Sequence, residues 1–226
     1  PIAVAQTGVN RWFGPADSFI NVSDINPRRI GVLGGTFDPP HNGHVLAACQ
    51  ARDRLNLDLV VFTVANDPWQ KTGVGGIRES GLTEVGIRLA MVEAAVETIE
   101  GLLADDLEMQ RGGPTYTADT LYELHDRYPG ADLFLLIGSD VASALDSWIR
   151  PEEVRKHATI VVMDRPGHDG GRPPDGWDYE LLEAPLLEMS AIELRAQVRS
   201  GEPIADQVPA GVAELIKRHS LYGAER

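Results

Sequence analysis

Short apolar runs recur along this chain at the spacing of strands joined by helices, and that alternation leaves few folds open. Residues 29–33, 57–65, 107–109, 132–137, 159–163 and 181–188 read as strands. Between and after them, Val45 to Leu55, Thr83 to Ile99, Ala118 to Tyr128, Pro151 to His157, Ala191 to Ser200 and Pro209 to His219 read as helices. Strands alternating with helices build parallel βαβ units, so the pattern predicts an α/β fold with a doubly wound, mostly parallel sheet. In such a sheet ligands bind beyond the carboxyl ends of the strands. Residues 34–44, 66–71, 138–140 and 164–166 each follow a predicted strand, and these are the chemically informative segments.

The first of them carries most of the functional signal. Gly34-Gly35-Thr36-Phe37-Asp38-Pro39-Pro40-His41-Asn42-Gly43-His44 joins the first strand to the first helix. A glycine turn at a helix N-terminus offers unpaired N–H groups and a positive dipole end, a natural seat for phosphate. His41 and His44 lie three residues apart and so face one side of the helix, with Gly43 leaving room beside them. Such a pair also occurs without chemistry, and with Cys49 it fails to complete a metal set, because no Cys-x-x-Cys, His-Glu-x-x-His or carboxylate triad accompanies it. No resident metal is expected. The Walker-type and Gly-x-Gly-x-x-Gly phosphate loops are absent as well.

Composition narrows the partners. With 226 residues, 43% hydrophobic, the chain suffices for one full α/β core, so residues 29–223 are expected to form a single domain and residues 1–28 an appendage. The formal charge of −14 argues against nucleic acid or an anionic membrane as partner, and any phosphate must be met locally. One cysteine, no long apolar stretch and no signal-like N-terminus predict a soluble, cytoplasmic protein. Oligomeric state stays open, a homo-oligomer included.

The Gly-Thr-Phe-Asp-Pro turn followed by His-x-Gly-His resembles the signature of the nucleotidylyltransferase superfamily. That resemblance implies a Rossmann-like nucleotidyltransferase fold in which His41, His44, Gly34, Gly35, Thr36 and Phe37 surround the phosphates of a nucleoside triphosphate. Further segments are similar to bacterial nicotinate-nucleotide adenylyltransferases: Gly112-Gly113-Pro114-Thr115-Tyr116-Thr117, then Gly138-Ser139-Asp140, and Trp148 downstream. By motif position Trp148 stacks on the nicotinate ring, Thr115 lies beside it, and Gly138 and Asp140 contact nucleotide. Lys71, closing Asp67-Pro68-Trp69-Gln70-Lys71, and Arg165, in Asp164-Arg165-Pro166-Gly167, resemble the family's substrate-facing cations. Each has an ordinary alternative: Thr115, Thr117 and Asp140 as helix caps, Trp148 as a half-buried core residue, and Lys71 and Arg165 as surface charges.

The family's Ile-Ser-Ser-Thr-x-x-Arg segment, which holds the triphosphate tail at a late helix, reads here Met189-Ser190-Ala191-Ile192-Glu193-Leu194-Arg195. Ser190 and Arg195 match; two hydroxyl donors are replaced. The resemblance implies adenylyl transfer from ATP, with Mg²⁺ on its phosphates, to nicotinate mononucleotide in NAD biosynthesis. The alternatives are a sister transferase taking phosphopantetheine, nicotinamide mononucleotide or CTP, and a nucleotide-binding regulator without turnover.

Overall fold

The computed structural model describes residues 11–13, 19–21, 26–68, 81–164, 170–183, 187 and 189–224. Two short strands, β1 (Arg11–Phe13) and β2 (Phe19–Asn21), pair antiparallel in a sheet of their own. Six further strands form one parallel sheet: β3 (Arg29–Gly35), β4 (Leu59–Val64), β5 (Leu102–Asp105), β6 (Asp132–Gly138), β7 (Thr159–Asp164) and β8 (Tyr179–Glu183). Their spatial order is β5-β4-β3-β6-β7-β8. The chain winds outward from β3 through β4 to β5, then crosses back to β6 on the other side of β3. That reversal creates a crevice between the carboxyl ends of β3 and β6, the switch point where doubly wound sheets bind ligands.

Helices cover both faces: α1 (Asn42–Leu55), α2 (Val85–Val96), α3 (Leu107–Arg111), α4 (Thr117–Arg127), α5 (Ser139–Ala142), α6 (Pro151–His157), α7 (Ala191–Ser200) and α8 (Ala210–Arg218). The two faces are separate cores, and strand alternation assigns residues to them. Val60, Phe62 and Val64 of β4 join Phe134 and Leu136 of β6 beneath α1, α2, α7 and α8. Leu59 and Val61 join Leu133, Leu135 and Ile137 beneath α4 and α6. Because both faces are buried, strands β4 and β6 are near-continuous apolar runs, Thr63 being the one polar residue inside β4.

Two predicted strands are corrected. Leu107-Glu108-Met109 belongs to helix α3, and the strand is the preceding Leu102–Asp105. Asp105, fully buried, accepts the Leu107 N–H at 2.8 Å through Oδ1, which turns the chain out of the sheet and into the helix. The last strand starts earlier than expected, at Tyr179, and is described as far as Glu183; residues 184–186 and 188 of the expected 181–188 lie outside the described residues. Among the described residues no helix is long and apolar enough to cross a membrane.

Candidate functional site at the sheet switch point

A cleft of about 1610 Å³ opens over the carboxyl ends of β3 and β6. It exceeds the ~300–1,000 Å³ of a pocket for one small ligand, so it has room for two substrates. Of the residues singled out in sequence, Gly34, Gly35, Thr36, Phe37, His41, His44, Thr115, Gly138, Asp140, Trp148, Ser190 and Arg195 all line it. Lys71 and Arg165 lie outside the described residues.

The turn after β3 presents the histidine pair. His41 is the N-cap of α1 and His44 sits one turn in; their rings stack with centroids 3.7 Å apart. The His41 backbone N–H donates to His44 Nδ1 at 3.2 Å, so in the neutral ring the proton sits on Nε2, a donor. Phe37 holds the pair from behind. Its ring, 3% exposed, meets His44 edge-on at 5.1 Å and tilts against Phe62. Phe37 therefore packs the pair in place rather than presenting its ring to a ligand. The room beside Gly43 is filled differently from the expectation: a Cβ there would come within 2.9 Å of His41 Nδ1, so the missing side chain admits the imidazole rather than a ligand. One helix amide is also spoken for, since Asn42 N–H donates to the Gln207 carbonyl at 2.9 Å.

Across the cleft, the Gly-Pro-Thr segment is stitched to the end of β4. Thr115 N–H donates to the Asp67 carbonyl, and Thr115 Oγ1 accepts the Asn66 N–H, both at 3.0 Å. Neither Thr115 nor Thr117 caps α4, whose N-cap is Tyr116. Asp140 opens α5 from β6, and its carboxylate packs back so closely that a Cβ on Gly138 would lie 2.3 Å from Oδ1. Trp148 is half-buried, and its indole Nε1 is buried with no hydrogen-bond partner among the described residues. Ser190 is the N-cap of α7, makes no side-chain cap bond, and precedes Ala191 and the 70% exposed Ile192. Arg195 reaches from α7 to the turn after β3, where Nη1 donates to the Asp38 carbonyl at 2.7 Å.

Three further groups shape this cleft and escaped the sequence reading. Arg88, 1% exposed, donates to the carbonyls of Thr83, Thr36 and Asn66, tying together three segments at the cleft floor. Burial lowers its pKa, and Asp38, Tyr222 and the carboxylates of Glu84 and Glu108 oppose that shift. An arginine inside the apolar run Ile87-Arg88-Leu89-Ala90-Met91 was the available signal. Glu108 accepts the Thr120 hydroxyl at 2.6 Å, and burial pushes its carboxyl above the ordinary range despite hydrogen bonds from Thr120 and Thr115. Its strand assignment concealed it. Asp38 and Tyr222 join the turn after β3 to the turn after α8, and nothing in the local sequence announces that pairing.

Residues 32–204 match the cytidylyltransferase-like family, so the fold and the cleft define a nucleotidyltransferase. The chain is 40% identical over 197 residues to a probable nicotinate-nucleotide adenylyltransferase of Leifsonia xyli subsp. xyli, covering 86% of this chain and 94% of that one. It is 36% identical over 203 residues to the counterpart from Corynebacterium kroppenstedtii, covering 88% and 93%. The chain belongs to the nicotinate-nucleotide adenylyltransferase family, enzymes of adenylyl transfer in NAD biosynthesis. In fold it is similar to Plasmodium falciparum nicotinic acid mononucleotide adenylyltransferase complexed with NaAD, at a TM-score of 0.69 and 20% identity, covering 88% of this chain and 98% of that one.

Proposed function

We propose that this cleft joins ATP, carrying Mg²⁺ on its phosphates, to nicotinate mononucleotide, giving nicotinate adenine dinucleotide and pyrophosphate in the cytoplasm. The observation that carries this reading is the stacked His41/His44 pair at the start of α1, in one cleft with Trp148 and Arg195. The mononucleotide's phosphate monoester, with a second pKa near ~6, is largely dianionic at neutral pH and needs no general base. One of its oxygens attacks the α-phosphorus of ATP in line, the new O–P bond forms, and the bond to the β-phosphate oxygen breaks. Catalysis is then positioning and charge stabilisation.

His41 and His44 donate N–H bonds to the α-phosphate oxygens as negative charge builds there. Arg195 and Lys71 offset charge on the leaving pyrophosphate, with Ser190 and the α7 amides beside them. Gly34, Gly35, Thr36 and Phe37 wall the phosphates with backbone. Trp148 stacks on the pyridine ring with Thr115 next to it, while Gly138, Asp140 and Arg165 face nucleotide. Pyrophosphate release, measured with a panel of triphosphates and acceptors, tests the assignment. Highest turnover with ATP and nicotinate mononucleotide is expected; preference for CTP, phosphopantetheine or nicotinamide mononucleotide would transfer it to a sister reaction.

If the indole stacks on the acceptor ring, Trp148→Ala raises KM for the mononucleotide and leaves that for ATP nearly unchanged. The stacking contribution alone is about 0.5–1.5 kcal/mol beyond area burial. Steady-state kinetics with each substrate varied in turn decide it, and equal weakening toward both removes Trp148 from the acceptor site.

The altered α7 start yields a second expectation. Ala191→Ser with Ile192→Thr restores two hydroxyls at a helix N-terminus lining the cleft, and each neutral hydrogen bond is worth about 0.5–1.5 kcal/mol. ATP binding by calorimetry is expected to tighten accordingly. Unchanged affinity places the triphosphate tail elsewhere. Turnover gained by the double variant and absent from the wild type would instead identify a nucleotide-binding regulator.

A further inference from the structure

After α8 the chain folds back into the cleft through a turn that strains ordinary backbone. Ser220 and Tyr222 hold φ of 49° and 58°, left-handed values unusual for residues with a Cβ, and Ser220, Leu221 and Tyr222 all line the cleft. The strained turn delivers one phenol. Tyr222 Oη donates to Asp38 Oδ1 at 2.5 Å, and the Thr83 N–H donates to Oδ2 of the same carboxylate at 3.2 Å. Asp38 is 4% exposed, so these two neutral donors take the place of water for it. Burial, reinforced by the Asp38 charge, raises the Tyr222 pKa and keeps the phenol a donor.

What Asp38 lacks is as informative as what it has. Among the described residues it makes no salt bridge within 4.0 Å: the buried Arg88 charge acts on it, but Arg88 Nε, Nη1 and Nη2 each donate to a carbonyl, and the Arg195 guanidinium stops at the Asp38 carbonyl oxygen, 2.7 Å away. A buried carboxylate stripped of a hydrogen-bond donor takes a neighbouring cation in its place, because charge-assisted pairs are the strongest replacement. Arg195 is within reach of doing so.

We infer that Tyr222 is a positioning residue: by occupying Asp38 with a neutral donor, it keeps the Arg195 guanidinium available to the phosphate tail. The inference rests on the reading above that Arg195 faces that tail. Tyr222 itself touches no reacting atom. Its hydroxyl acts by removing the competing anion from reach.

Full-length Tyr222→Phe, Arg195→Ala, Tyr222→Phe/Asp38→Asn and Tyr222→Phe/Arg195→Ala variants test this, with thermal unfolding to confirm the folded state. Binding of MgATP and of inorganic tripolyphosphate is read by calorimetry, and KM for each substrate by kinetics. Tyr222→Phe is expected to weaken ATP and tripolyphosphate about tenfold, the scale of one charge-assisted hydrogen bond, with mononucleotide KM within about twofold. Adding Asp38→Asn removes the charge that captures Arg195 and recovers most of the loss. In the Arg195→Ala background the Tyr222→Phe change has no further effect on either anion.

A general loosening of the turn would instead weaken both substrates, leave the Asp38→Asn double variant no better, and add to Arg195→Ala; any of these overturns the inference. Should Tyr222→Phe fold poorly, the comparison moves to Tyr222→Phe/Asp38→Asn and the triple variant that adds Arg195→Ala. Arg195→Ala must then again cost about tenfold toward tripolyphosphate, and no loss overturns it. If Arg195→Ala alone leaves both anions unweakened, the Arg195 assignment fails and this inference with it. If Arg195→Ala weakens them and a well-folded Tyr222→Phe does not, this inference alone fails.

Discussion

His44→Ala is expected to lower turnover by about 10²–10³, the loss of about 2.7–4 kcal/mol that follows removal of one oriented donor to developing charge. The reason lies in how the ring is held. His44 accepts the His41 N–H at Nδ1 and is met edge-on by Phe37, so its ring is held in place, with Nε2 as the donor nitrogen of the neutral form, before substrate arrives. A donor fixed in advance contributes most when charge builds on the α-phosphate, so kcat should fall far more than ATP affinity. His41→Ala is expected to act in the same direction. That ring is 6% exposed and stacked on its neighbour, so its removal also loosens His44, and the paired variant should fall short of the product of the single losses. Single-turnover rates alongside ATP binding by calorimetry provide the check. A folded His44→Ala variant with near-wild-type turnover takes the pair out of the mechanism.

The sequence disclosed the parts whose chemistry is local. Strands β4 and β6 were legible because burial on both faces writes them as near-continuous apolar runs, and α6 and α7 fell at their predicted bounds. Pro151 at the first helical position and Gly201 just past the last helical residue mark those two helices at the level of composition. The histidine turn was legible because strand, turn and helix start are contiguous. Leu107-Glu108-Met109 misled for the opposite reason. Its apolar, polar, apolar alternation fits a strand as well as one helical turn, and the deciding bond comes from the buried Asp105 carboxylate just before it. Arg88, Glu108 and Tyr222 were invisible because their roles are set by partners far away in sequence. Arg88 meets Thr36 and Tyr222 meets Asp38 only once the sheet has wound about its switch point.

That long-range dependence makes Arg88 the position where the largest loss of stability is expected. Its Nη1 donates to the Thr36 carbonyl at 2.8 Å, Nε to Thr83 at 2.9 Å and Nη2 to Asn66 at 3.3 Å, all from a side chain 1% exposed. Arg88→Met keeps the apolar stem and deletes every donor, leaving carbonyls of the cleft floor unpaired and the nearby Asp38 and Glu108 without their buried cation. Removing one member of a buried charge network costs about 3–5 kcal/mol. For a chain of this length, each kcal/mol shifts the melting midpoint by about 2–4 °C, so a fall of about 6–20 °C is expected. Arg88→Lys restores the charge but not the planar fork that reaches separate carbonyls, so it should recover only part of the loss. Urea and thermal unfolding of the three proteins measure this directly. A loss under about 1 kcal/mol for Arg88→Met would mean that the carbonyls find water or each other's donors, and that the cleft floor does not depend on this guanidinium.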